Sequence, residues 1–94
     1  MKMTKTDFNI QVNVSSSWIV YITKTMEEAM TLHNFALSQK EAMGLDWYYI
    51  STTSIKKDCR VPEFFHDHGY FATIIEHNNG DWDKPQKYEL YIVE

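Results

Sequence analysis

A single cysteine, three glycines and two prolines are all that the 94 residues hold of those types. Cys59 alone makes no internal disulfide, so the fold does not depend on oxidation and suits a reducing compartment. With so few glycines there is no Gly-rich phosphate loop and no dinucleotide fingerprint. A serine nucleophile elbow and carboxylates paired at a suggestive spacing are missing too. No cofactor is therefore expected. The longest purely apolar run, Trp18-Ile19-Val20-Tyr21-Ile22, is far too short to span a bilayer. Met1-Lys2-Met3-Thr4-Lys5 leads into a polar strand and not into the apolar segment of a signal peptide, and the expected location is cytoplasmic. No repeat, low-complexity tract or linker interrupts the chain, so residues 1–94 read as one domain.

Charge of one sign is also modest. The net charge is −4 and unevenly spread: Lys56, Lys57 and Arg60 stand against Asp58, whereas residues 76–94 carry five acids against Lys84 and Lys87. Bulk electrostatics do not favour nucleic acid. The scattered carboxylates do not form the dense rows of a DNA mimic. What the chain has in excess is aromatic surface, with three Trp, six Tyr and five Phe. Such large, stiff side chains suit a compact core and equally an interface with a low ordering cost.

Local patterns predict an α+β fold. Phe8, Ile10, Val12 and Val14 alternate with polar residues, the period of a strand with one buried face. Ser15-Ser16-Ser17 breaks the pattern. Trp18 to Thr23 is apolar on both parities and reads as a more central strand, paired with the first through a short hairpin. Thr25-Met26-Glu27-Glu28 has capping-box spacing and Gly44 supplies a helix stop. Between them Met26, Ala29, Met30, Leu32, Ala36, Leu37 and Met43 form one broad apolar face. Trp47 to Ile55 is a third strand, and Pro62 to Gly69 a short helical turn. Tyr70 to His77 and Lys87 to Val93 are the last two strands, joined as a long hairpin across the acidic loop from Asn78 to Pro85. The expectation is a mostly antiparallel five-stranded sheet with one long amphipathic helix on one face, in the order ββαβ(α)ββ. A ferredoxin-like arrangement is the competitor.

Few residues carry chemistry. His66, His68, His77 and Cys59 are possible soft or borderline metal ligands, and His66-Asp67-His68 would share an ion only if that segment were extended; the bland alternative is a pair of surface histidines in a loop. Cys59 lies within three residues of Lys56, Lys57 and Arg60, cations that lower a thiol pKa, but no cysteine-enzyme signature surrounds it. His33 falls in the apolar helix face, where an imidazole needs a hydrogen-bond partner such as a strand hydroxyl or carbonyl around Tyr49 or Thr53. Asp81-Trp82-Asp83 lacks the remaining acids of a calcium loop and instead displays a large aromatic between two charges, a common form of interface anchor. Phe35 projects almost opposite the apolar stripe. If the helix covers one sheet face, several of the tyrosines must line the other and leave an apolar patch open.

Small, acidic, aromatic-rich single-domain proteins of this sort look like the accessory inhibitors encoded by phages and mobile elements; the likeness is one of style and covers no motif. The leading expectation is a non-enzymatic protein-binding module that occupies a partner's surface, as a homodimer or in a heteromeric complex, through Trp82, Asp81, Asp83, Phe35 and Tyr91. The alternative is a small metal-dependent or ferredoxin-like dimeric enzyme built on His66, His68, His77 and Cys59, with His33 as base. A third reading, weak nucleic-acid contact through Lys56, Lys57 and Arg60, predicts steep salt dependence.

Overall fold

The computed structural model describes residues 3–12, 16–44, 49–58, 60–78 and 86–94. They form strands β1 (Met3–Val12) and β2 (Ser16–Thr23), helix α1 (Met26–Met43), strand β3 (Tyr49–Ser54), a 3₁₀ helix (Glu63–His68), and strands β4 (Phe71–Asn78) and β5 (Gln86–Val93). The α+β class and the five strands are as expected.

Helix α1 starts and stops where its caps dictate. The Thr25 hydroxyl accepts the Glu28 N–H at 3.2 Å and itself donates to the Glu28 carboxylate at 3.0 Å. Gly44 closes the helix in the left-handed region at φ 64°, where a side chain would be strained. Gly69 ends the 3₁₀ helix in the same way, at φ 66°.

Strand order is β1-β5-β2-β4-β3. Three neighbouring pairs are antiparallel, and β2 runs parallel to β5. Two expected pairings are corrected by this order. β1 does not form a hairpin with β2 but pairs with β5, and β4 and β5 are separated by β2. The physical reason lies in β2: its residues are apolar on both parities, so it takes the centre of the sheet with a strand on each side, and the polar β1 is left at an edge. The β2–α1–β3 unit, with β4 inserted between its strands, is the split element of the ferredoxin-like alternative. The parallel β2–β5 pair departs from it.

Residues paired across a ladder share a sheet face. Val20 pairs with Ile74 and Leu90, and Ile22 with Ala72 and Ile92. This face holds the main core, closed by Ile55, Val61 and Phe65 from the β3–β4 connection, with Trp18 and Tyr70 packed at its margin. Each fully buried aliphatic side chain here contributes about 1.5–3 kcal/mol. Helix α1 packs on the opposite face, against β3, β4 and β2. The expectation of an open sheet face lined by aromatics holds only in part: the β3–β4 connection covers Val20, Ile74 and Leu90, while Tyr49 on the same face stays exposed. The apolar face of α1 is corrected as well. Ala29 is buried and Leu32, His33 and Ala36 are half-buried, whereas Met26, Met30, Leu37 and Met43 are exposed. No helix is long and apolar enough to cross a membrane among the described residues.

Candidate functional site

A chain of hydrogen bonds fixes how α1 sits on the sheet. The Thr73 hydroxyl donates to the Ala29 carbonyl at 2.6 Å, and a carbonyl only accepts. Thr73 has then used its one proton, so Thr52, 3.0 Å away, donates to Thr73. The Thr52 proton is used in turn, and His33 Nδ1, at 2.9 Å, must donate to Thr52. His33 therefore meets a strand hydroxyl, as a half-buried imidazole must, with its proton on Nδ1. This anchorage draws α1 toward β3 and β4.

On the other flank of α1 a cavity of about 250 Å³ remains. Leu32, Phe35, Ala36 and Gln39 form its helix wall, Ile19 and Tyr21 of β2 with Ile75 of β4 its floor, and Met3 of β1 its far end. The stack of Tyr21 on Tyr91 extends the floor, with ring centroids 5.0 Å apart and planes 16° from parallel. Lys5 lies 5.9 Å from the Tyr91 ring centre and 3.3 Å from the Glu89 carboxylate, giving the aromatic floor a polar border. Phe35 stands at the rim, 63% exposed. It turns about 100° from Ala36, beside the cavity and not opposite the packed face, because that face is displaced from the predicted stripe. Engineered cavities of about 150 Å³ already bind benzene, so this one has room for a partner's aliphatic or aromatic side chain.

The second cluster lies on the β3–β4 connection. Asp58 forms a two-pronged pair with Arg60, at 3.0 Å to Nε and 2.8 Å to Nη2, and Arg60 Nη1 reaches Glu76 of β4 at 3.0 Å. These bonds tie the connection to the sheet. The Arg60 hydrogen bond holds the Asp58 carboxyl below the usual carboxylate range, against the opposing effect of partial burial. Arg60 is held still further above its already high value, first by that same bond. Of the three cations considered for nucleic acid, Arg60 is thus committed to carboxylates, while Lys56 and Lys57 are exposed.

The expected site residues fall in different places. Phe35 and Tyr91 come to one surface, joined through Tyr21, which sequence reasoning missed together with Ile19, Leu32 and Gln39 of the cavity lining. A signal for Tyr21 did exist, since its parity on a two-faced strand sets it opposite Val20 and Ile22. Asp81, Trp82, Asp83 and Cys59 lie outside the described residues, as does the side chain of His77. His66 and His68 do not converge, because their segment is helical: His66 Nε2 donates to the Asp58 carbonyl at 3.1 Å, while His68 stacks on Tyr70 at 5.3 Å. Among the described residues no three His, Cys, Asp or Glu side chains gather as a metal site.

Fold and surface together define a small α+β domain with a mixed sheet and an apolar cavity beside its helix. Searches against protein families, curated proteins and solved structures found no match to this chain.

Proposed function

We propose that the chain is a non-enzymatic protein-binding module, of the inhibitor type, that occupies a partner's surface by receiving an apolar side chain in the cavity between α1 and β2. One observation carries this reading: Phe35, a ring 63% exposed, borders an apolar cavity that the described chain does not fill. Exposed aromatics beside a preformed pocket are the usual anchors of interfaces. Tyr21 and Tyr91 supply a rigid floor, and the Lys5–Glu89 pair a polar rim.

The test is capture from an extract of the native host, using the wild-type chain and Phe35→Ala as baits. Phe35 contributes little to the core, so the variant should unfold at the wild-type urea concentration. Its affinity for the captured protein should fall by more than about 2 kcal/mol. Equal capture by both baits would contradict the assignment.

A further inference from the structure

We infer that the partner segment received at the cavity is an amphipathic α-helix, laid alongside α1 over β5, and not an extended strand or a second copy of the chain. The inference rests on the partner-binding reading above and specifies its occupant.

The sheet is wider than its helix. In the order β1-β5-β2-β4-β3, α1 packs against β3, β4 and β2, so that its axis lies over β4. Among the described elements no helix packs closely on the same face of β5 and β1. Neighbouring strands lie about 4.8 Å apart, which sets β5, two strands from β4, about 10 Å to the side of the α1 axis. Packed helices lie about 8–10 Å apart, axis to axis. A second helix resting on β5 therefore meets α1 at packing distance, with β2 and β1 supporting its two sides.

The walls of this trough suit a helix. Leu32, Phe35 and Gln39 line it from α1, and steps of three and then four residues along a helix are those by which packed helices interlock side chains. Ile19, Tyr21 and Tyr91 form an apolar floor, whereas the Lys5–Glu89 pair borders it toward β1. An occupant must then be apolar toward α1 and polar toward β1, which is the pattern of an amphipathic helix.

Backbone chemistry separates such a helix from an extended segment. A strand laid across the floor would turn N–H and C=O groups toward ring and aliphatic carbon, and buried backbone groups left unpaired are costly. A helix satisfies its own. A second copy does not supply one. α1 is the one α-helix among the described residues, and it rests on its own sheet while Glu27, Thr31, Asn34, Ser38 and Glu41 stand exposed on its outward side.

Selection against the 94-residue chain from a displayed library of random peptides, each about 18 residues or five helical turns long, tests this. Enriched peptides are expected to carry apolar residues at three- and four-residue spacing and to gain helical circular dichroism on binding. Phe35→Ala and Tyr91→Ala, each checked for wild-type circular dichroism, should weaken binding of an enriched peptide at least about ten-fold. Peptides that alternate apolar and polar residues and bind without a helical signal, yet still require Phe35, would overturn the helical occupant and leave the docking site standing. Binding that requires Phe35 but not Tyr91 would remove the helix from over β5. Binders indifferent to Phe35, or a library from which nothing is enriched, would overturn both the occupant and the site. A chain that self-associates in sedimentation equilibrium, and becomes monomeric with Phe35→Ala, would overturn the choice of a separate partner.

Discussion

At Thr73 a single hydroxyl joins helix to sheet. It donates to the Ala29 carbonyl and accepts from Thr52, which in turn accepts from His33. Thr73→Val keeps the shape of the side chain and removes both bonds, leaving the Thr52 proton unmatched and the Ala29 carbonyl with its intrahelical bond alone. The expected loss is about 1–3 kcal/mol, read as a lower urea midpoint at an unchanged slope. Sequence made the need for such bonding visible at His33, because an imidazole on an apolar face must find a polar partner. Which hydroxyl answers depends on the phase of β3 beneath α1, and no local pattern encodes that. Thr52, between the two positions expected, is the one that faces the helix.

Among the elements, the β3–β4 connection does more than its length suggests. Phe65 and Val61 close the main core, while the Asp58–Arg60–Glu76 bonds hold the connection down. The Asp58 carboxyl is lowered in the folded chain, so its share of stability is fully present above the unfolded value, about pH 4. That share is lost as pH falls through the lower folded value. Urea denaturation over a pH series should therefore show wild type losing stability below about pH 4 more steeply than Asp58→Asn, which lacks that share throughout. Equal slopes would remove the tether from the account. The charged interruption and the Pro62–Gly69 turn were legible, as were the caps of α1. That the turn would roof a sheet face was not, since Val61 and Phe65 look like isolated apolar residues until strand order brings Val20, Ile74 and Leu90 beneath them. The beginning of β1 was equally silent: Met3 to Asp7 is polar and charged, as an edge strand can be, and shows no alternation.

Over the whole molecule, the apolar surplus seen in the composition is partly hidden and partly displayed. The face expected to stay open is roofed over its centre, and exposure remains at Tyr49 and Phe64 and on the flanks of α1, with Phe35 and the cavity toward β2 and Met30 and Leu37 toward β3. Local periodicity located the helix and four of the strands well but misplaced its packed face, because only Ala29, Leu32, His33 and Ala36 meet the sheet closely. Ala36 is the small residue in the cavity wall, and Ala36→Leu would narrow that space with the chain's own atoms. Its added carbons are worth up to about 2 kcal/mol in burial, reduced by the ordering of the new side chain. The variant should gain about 1 kcal/mol in stability. Affinity of Ala36→Leu for the protein captured by wild type is the most direct measurement: the account predicts a more stable chain that binds more weakly, and binding at wild-type strength with the cavity narrowed would contradict it.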